Sequence, residues 1–191
     1  MDFLNNNSPV TKYKSNEKIK NEIKKYGIPL LIIFFWVIFL QYIIREFLIY
    51  PVKIQENYMN KTLSKGDLVF LTYTHLADIN KGDIVFVELK KYGMKTFCRI
   101  IGLPGENIEI KNKKIFINEK EFNDIWASQT DNRILPQKIS NRDNLTKTSI
   151  RPGHYFCIND NRDNISDSRQ WGPLSYSSIM GKVLAVNLLG I

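Results

Sequence analysis

The chain has 191 residues, with 27 Lys and Arg against 19 Asp and Glu, which gives a formal net charge of +8. This length suits one domain of ordinary size plus an appendage. A basic chain suits either nucleic acid or a membrane surface. The clearest lysine cluster directly precedes a long apolar run, so we expect a membrane partner and no nucleic acid. The two cysteines and two histidines have no ligand-like spacing, so we expect no metal and no cofactor.

The first predicted elements are a leader and a membrane anchor. Residues 1–25 form a basic leader, and the following segment 28–44 (IPLLIIFFWVIFLQYII) carries no charge. A cleavable signal peptide is the alternative, but it would have a shorter apolar core and small residues near its cleavage site. We therefore predict an uncleaved transmembrane anchor over residues 26–50 in the cell membrane, with the N-terminus cytoplasmic. Residues 51–191 then form a domain on the extracytoplasmic side.

Short strands separated by turns are predicted for residues 51–191, and no helix longer than the anchor is expected. Gly66-Asp67 and Gly82-Asp83 each follow a lysine and begin an apolar run, in a local repeat K-G-D-[LI]-V-F. Residues 119–150 are polar and are predicted to be an irregular excursion. Alternating or continuous apolar runs predict the strands, which lie in segments 52–55, 67–73, 83–89, 97–101, 108–117, 155–158 and 179–189. Within the segment 108–117, Asn112-Lys113 is predicted to form a turn.

The strand that ends in Ile100 and Ile101 enters a turn rich in glycine and proline, residues 102–105. Cys98 is the reactive side chain nearest to that turn. Cys98 and Cys157 could form one disulfide, but nothing in the sequence pairs them. We expect two buried thiols.

Four segments resemble motifs of the type I signal peptidases, which are membrane-anchored serine endopeptidases that remove signal peptides from exported preproteins. The segment 159–169 (NDNRDNISDSR) is similar to G-D-N-R-D-N-S-x-D-S-R, and 99–106 (RIIGLPGE) is similar to R-V-I-G-L-P-G-D. The segment 58–67 (YMNKTLSKGD) resembles S-M-x-P-T-L-x-x-G-D, and 81–85 (KGDIV) resembles R-G-D-I-V. The resemblance implies a mainly β domain of two antiparallel sheets, preceded by one N-terminal transmembrane helix.

The family's chemistry needs a serine nucleophile and a lysine that burial keeps neutral, and this chain departs from that pattern at both positions. Tyr58 stands where the family has the serine, and Cys98 stands where it has the lysine. Ile165 replaces a serine that helps to orient the lysine. A phenol is a poor nucleophile at neutral pH, and a cysteine needs a base or a positive neighbour to form a thiolate. Neither Ser64 nor Lys95 restores the pattern by a one-residue shift.

Other positions that match the family have two interpretations each. Val52, Ile54, Met59 and Phe97 match residues that line shallow substrate pockets in the family, but they could equally be ordinary core. Asp167 and Arg169 have the side-chain types for a charge-assisted pair. We expect that pair to support the loop 159–169 and to tie it to the strand after Cys98, although a binding loop is the alternative.

The sequence therefore leaves two functions open. The first is a catalytically inactive homologue that acts as a binding or accessory protein in export. Its partners would be signal peptides of exported preproteins, membrane lipid and an active paralogue, and its groove would bind an extended peptide without cutting it. The alternative is an active signal peptidase with a displaced or atypical active site.

Overall fold

The computed structural model describes residues 20, 22–44, 49–55, 59, 62–74 and 78–186. The chain divides into two compact units, Met1–Phe47 and Leu48–Ile191. Each unit is described by itself below. Tyr58 lies outside the described residues, and so does Lys61, which stands where the family motif S-M-x-P-T-L has its proline.

The first unit contains helix α1, Ile28–Ile43, which continues a π-helical turn at Ile23–Gly27. The proline near its N-terminus is tolerated because the first amides of a helix have no intrahelical partner. The helical segment Ile23–Ile43 is long and apolar enough to cross a membrane. The range of 26–50 for the anchor stays a prediction; its last two residues, Ile49 and Tyr50, pair with Thr72 and Leu71 in the second unit.

The second unit is built from strands that form two antiparallel sheets, which confirms the predicted fold class. The seven-stranded sheet has the order β1-β2-β11-β3-β4-β9-β10, and the four-stranded sheet has the order β7-β6-β5-β8. The strands are β1 Ile49–Lys53, β2 Leu68–Tyr73, β3 Ile84–Leu89, β4 Met94–Gly102, β5 Asn107–Lys111, β6 Lys114–Ile117, β7 Lys120–Glu121, β8 Leu145–Ser149, β9 His154–Ile158, β10 Leu174–Ser175 and β11 Ile179–Val186. A short helix α2, Ser168–Trp171, lies between β9 and β10.

The two K-G-D copies form the same turn, which leads into β2 in one case and β3 in the other. Gly66 and Gly82 have φ values of 102° and 89°, a conformation that favours glycine. The following aspartates close both turns in the same way. Asp67 Oδ2 accepts the N–H of Ser64 at 2.7 Å, and Asp83 Oδ2 accepts the N–H of Asn80 at 2.7 Å.

The four-stranded sheet is inserted between β4 and β9. β5 and β6 form a hairpin whose turn residues Asn112 and Lys113 have φ values of 48° and 73°. The predicted turn at these two residues therefore exists. The excursion predicted for 119–150 is only partly irregular, because β8 lies within it and pairs with β5.

β4 separates two parts of the hydrophobic core. Its side chains alternate between the faces of the sheet. Cys98 and Ile100 pack in one cluster with Val85, Val87 and Cys157. Phe97 packs in another cluster, which includes Ile54, Met59 and Phe86. The strand thus presents Phe97 and Cys98 to different environments.

Candidate functional site

A cleft of about 380 Å³ opens on the Phe97 side of β4. One wall is the segment 52–55, which includes the end of β1, and the other wall is the segment 94–97 at the start of β4. The described lining residues are Val52, Lys53, Ile54, Gln55, Met59, Leu63, Phe86, Met94, Lys95, Thr96 and Phe97.

The four residues that the resemblance assigned to substrate pockets all line this cleft. Val52 is half-buried, whereas Ile54, Met59 and Phe97 are buried. They therefore contribute both to the core and to the cleft wall. Phe86 completes this surface, because it lies opposite Phe97 in the β3–β4 register with ring centroids 4.7 Å apart. The sequence analysis missed Phe86, although the short β3–β4 hairpin determines this register.

Both walls of the cleft have a strand edge with which no described strand pairs. Among the described strands, β1 pairs only with β2. β4 pairs with β3 along 94–99 but with β9 only at Arg99 and beyond. The segment 94–98 therefore has a second edge that no described strand occupies. An extended peptide can hydrogen-bond to such an edge, as in β-augmentation.

Cys98 is covalently bonded to Cys157, so the expectation of two buried thiols is wrong. The two sulfur atoms form a disulfide between β4 and β9, and both residues have 0% exposure. Ser168 Oγ lies 3.7 Å from Cys157 Sγ and 3.1 Å from the Cys157 amide. The environment of Cys98 is otherwise apolar, with Val85, Val87 and Ile100 in the same cluster.

Arg99 anchors the site from the residue next to the cystine. Its Nε donates to Asp160 Oδ1 at 2.8 Å, and its Nη1 donates to the Gly82 carbonyl at 2.7 Å. Thr62 Oγ1 donates to Asp160 Oδ2 at 2.6 Å, which joins the segment that contains Thr62 to this pair. The Arg99 guanidinium also lies 4.7 Å from the centroid of the Trp126 ring. The sequence analysis assigned no role to Arg99 or Asp160.

The loop 159–169 is folded around Asp167 and Arg169. Asp167 is fully buried and accepts hydrogen bonds from the Asn159 amide at 2.9 Å and from Arg169 Nη2 at 2.7 Å. Arg169 Nη1 donates to the Arg162 carbonyl at 2.8 Å. Ile165 is half-buried in the same loop. The ion pair that ties the loop to β4 after Cys98 is Arg99–Asp160. Asp167 and Arg169 bond within the loop, and Arg169 Nη1 also donates to the Arg142 carbonyl at 3.3 Å.

One hydrogen-bonded cluster around Arg142 and one tyrosine near β1 have shifted pKa values in this unit. Hydrogen bonds from Arg133 and Arg142 hold the pKa of Asp131 well below its usual value. Burial acts to raise the pKa of Asp143, but hydrogen bonds from Arg142 and from the Leu135 amide outweigh it, and the pKa is lowered. Near β1, burial and the neighbouring Tyr73 raise the pKa of Tyr50 to about 12.

The two side chains that the sequence analysis considered and rejected as substitutes for the family's reactive groups lie in exposed positions. Ser64 is exposed, and Lys95 is exposed on the cleft rim with Nζ 3.3 Å from Glu88 Oε1. Thr96 is the one hydroxyl among the described lining residues, and its Oγ1 donates to the Phe97 carbonyl at 3.4 Å. Among the described residues, no group of three or more His, Cys, Asp or Glu side chains is arranged to hold a metal ion.

Comparison with known proteins identifies the family to which a chain with this fold and this cleft belongs. The family model described as "Signal peptidase, peptidase S26" matches residues 27–188. The chain belongs to this family.

Relatives from several bacteria are similar over most of their length. Signal peptidase I P of Bacillus subtilis subsp. natto is 30% identical over 132 residues, which is 68% of this chain and 71% of the relative. Signal peptidase I of Bacillus amyloliquefaciens is 27% identical over 174 residues, covering 90% of this chain and 88% of the relative. The crystal structure of a signal peptidase I from Enterococcus faecalis V583 is 24% identical, with a TM-score of 0.44, and covers 57% of this chain and 98% of that chain.

Proposed function

We propose that this chain is a non-catalytic member of the signal peptidase family that binds an extended peptide in the cleft without hydrolysing it. The observation that supports this proposal is the cystine at the position of the family's lysine. A sulfur atom in a disulfide neither accepts a proton from a nucleophile nor attacks a carbonyl, because the thiolate is the reactive form of cysteine. Cys98 uses its sulfur for Cys157.

The rest of the described cleft offers no substitute for the missing base. A lysine acts as a base at neutral pH when burial lowers its pKa. The two lysines among the described lining residues, Lys53 and Lys95, are both exposed. Removing a serine nucleophile alone lowers kcat by a factor on the order of 10⁶ in a well-studied serine protease. Because Tyr58 replaces the serine and Cys98 replaces the lysine, both reactive groups are missing, and this argues against hydrolysis.

Binding, in contrast, needs only features that the chain has kept. The free edge of segment 94–98 supplies backbone donors and acceptors, and the apolar surface around Phe86 and Phe97 supplies side-chain contacts. The relatives are signal peptidases by name, so we infer that signal peptides of exported preproteins are the peptides bound. Membrane lipid around α1 and an active paralogue are the further partners that we propose.

We also propose that the leader faces the cytoplasm and that the β domain faces the other side of the membrane. The lysines that precede α1 support this orientation through the positive-inside rule. The disulfide Cys98–Cys157 supports it independently, because disulfides persist in oxidising compartments and are rare in the cytosol.

The test is to mix the purified full-length protein in a nonionic detergent with a radiolabelled preprotein. We expect saturable binding and no cleavage over a period in which a control signal peptidase completes the reaction. Cleavage that disappears in Ser64→Ala would contradict the proposal and would favour the displaced active site, for which the exposed Ser64 hydroxyl is the nearest candidate. Absence of binding to any signal peptide would contradict it as well.

Restoring the family's side chains provides a sharper test. The disulfide dictates the design, because Cys98→Lys alone would leave Cys157 unpaired. The variant is therefore Tyr58→Ser, Cys98→Lys and Cys157→Ala, with Ile165→Ser added in a second version. We expect cleavage to appear, since the apolar residues around position 98 would desolvate the introduced amine and lower its pKa. A folded variant that binds but does not cleave would show that more than the reactive groups has been lost.

A further inference from the structure

The cleft has an uneven distribution of charge. Among its described lining residues the ionisable side chains are Lys53 and Lys95, one on each wall, and no carboxylate lines it. Lys90 and Lys91 are exposed in the turn that leads into β4 at Met94. Glu88 is the described carboxylate paired with a cleft lysine; its side chain lies 3.3 Å from Lys95 and is 32% exposed. Among the described residues, the side chains around the start of β4 are therefore mainly positively charged.

The register of β4 relates this charge to the apolar part of the cleft. Lys95 and Phe97 are two residues apart on one strand, so their side chains project to the same face at a spacing of about 7 Å. Their cross-strand partners on β3 repeat the pattern, since Phe97 lies opposite Phe86 and Lys95 lies opposite Glu88. An extended ligand beside β4 has the same two-residue repeat. If one ligand side chain contacts Phe97, a side chain two positions along it lies beside Lys95.

We propose, building on the function proposed above, that the cleft selects extended peptide segments that carry an Asp or Glu side chain two positions from an apolar residue. The apolar side chain contacts Phe86 and Phe97, and the carboxylate lies beside Lys95, with Lys53 on the opposite wall adding to the attraction. Lys95 exchanges or shares its contact with Glu88 when the ligand binds. Charge complementarity is the basis of this selection.

The expected size of the effect follows from the exposure of the lysines. Ion pairs at exposed sites are weak, so we expect each lysine to change affinity by only about 2- to 5-fold at low salt. Because the charges are in contact with solvent, the preference decreases as salt is raised towards 0.5 M.

The test uses full-length protein in a nonionic detergent and isothermal titration calorimetry with four synthetic peptides. All have a signal-peptide-like apolar core and a blocked N-terminus. The first has an amidated C-terminus and Asp two positions before a marked alanine, the second replaces that Asp with Asn, and the third moves the Asp by one position. The fourth is the Asn peptide with a free C-terminal carboxylate. We expect the first peptide to bind about 3- to 10-fold more tightly than each of the others in 50 mM salt.

Variants assign the effect to the cleft. Lys95→Gln and Lys53→Gln should each reduce the Asp-over-Asn ratio about 2- to 5-fold, whereas Glu88→Gln should increase it by releasing Lys95. Lys114→Gln is the matched control, because Lys114 is also an exposed strand lysine paired with a glutamate, Glu121 at 2.9 Å, but lies in the other sheet. The control should leave the ratio unchanged.

Each outcome of the titrations is informative. Equal affinity for the Asp and Asn peptides would overturn this inference and leave the proposed function intact, whereas failure of all four peptides to bind would contradict both. A gain confined to the free-carboxylate peptide would overturn the inference in favour of recognition of a chain end. If the preference for the Asp peptide over the Asn peptide persists in the double variant Lys53→Gln with Lys95→Gln, the inference is overturned, because these two lysines would not be its source.

Discussion

The cystine and the buried ion pair beside it are single-residue features whose loss should be measurable in stability. Cys98 and Cys157 are 59 positions apart. Closing a loop of that length restricts the unfolded chain, and the chain-entropy estimate is about 4 kcal/mol, although measured values for disulfides are usually 2–4 kcal/mol.

The first prediction is therefore that Cys98→Ala with Cys157→Ala lowers the free energy of unfolding by about 2–4 kcal/mol. Urea denaturation in detergent, followed by tryptophan fluorescence, measures the loss. Alkylation of the unfolded, unreduced wild-type chain followed by mass spectrometry should add no label. Two labelled thiols in that experiment would disprove the disulfide.

The second prediction concerns Asp160, which has 0% side-chain exposure and pairs with Arg99. Asp160→Asn leaves the guanidinium of Arg99 buried without its counter-ion, and breaking such a pair costs about 3–5 kcal/mol. Glu119→Gln is the control, because its pair with Lys147 is exposed at both ends and should contribute far less to stability. Equal losses in the two variants would contradict the structural role assigned to Asp160.

At the scale of elements, the excursion between β7 and β8 depends on ionised carboxylates. Arg142 Nη1 donates to Asp131 at 2.7 Å, and Arg142 Nη2 donates to Asp143 at 2.7 Å. The pKa of both carboxyl groups is lowered in the folded chain relative to the usual value of 3.8. A group with a lowered pKa stabilises the folded state above its unfolded pKa, and this contribution is lost as the pH falls through the lower folded value.

The third prediction is that the melting temperature is constant between pH 5 and 7 and falls steadily below about pH 4. Asp143→Asn should lower the melting temperature at pH 6 and flatten the decline below pH 4, because one of the titrating groups is gone. Thermal scans of both proteins from pH 3 to 7 test this. A wild-type curve that is as stable at pH 3 as at pH 6 would be incompatible with it.

The elements that were predicted from sequence are those with local signals. The β5–β6 hairpin has alternating isoleucines and a turn at Asn112-Lys113, and both are features of neighbouring residues. β8 was missed because its sequence Leu-Thr-Lys-Thr-Ser buries only Leu145, and it is an edge strand specified by its distant partner β5. The Cys98–Cys157 bond was missed for a similar reason, since it depends on the β4–β9 register.

The candidate site likewise combines features that the sequence could predict with features that depend on distant contacts. Family motifs pointed to Phe97 and Met59, and both side chains line the cleft. Motif order is a property of the sequence, so no structure was needed to find them. The sequence did not reveal that Phe97 and Cys98 serve different clusters or that Asp160, rather than Asp167, contacts the strand after the cystine. Those facts depend on which strands are neighbours, and that is set by long-range packing.

At the scale of the whole molecule, the fourth prediction concerns orientation across the membrane. The natural cysteines are bonded and buried, so an introduced cysteine can be labelled selectively. A membrane-impermeant maleimide should label Lys147→Cys on intact cells, because Lys147 is an exposed residue of the β domain. It should label Asn5→Cys only after lysis. The reverse pattern would show that the lysine-rich leader does not set the orientation.

The position of the cystine has a mechanical consequence for the second sheet. All four of its strands lie between Cys98 and Cys157 in the chain, so the bond closes a covalent ring around them at the point where the insertion leaves and rejoins the first sheet. The inserted sheet can open locally without pulling β4 away from β9, because tension on the ring is borne by the sulfur bridge and not by the strand pairing. The four-stranded sheet can therefore open locally while β4, which forms one wall of the cleft, keeps its register with β9.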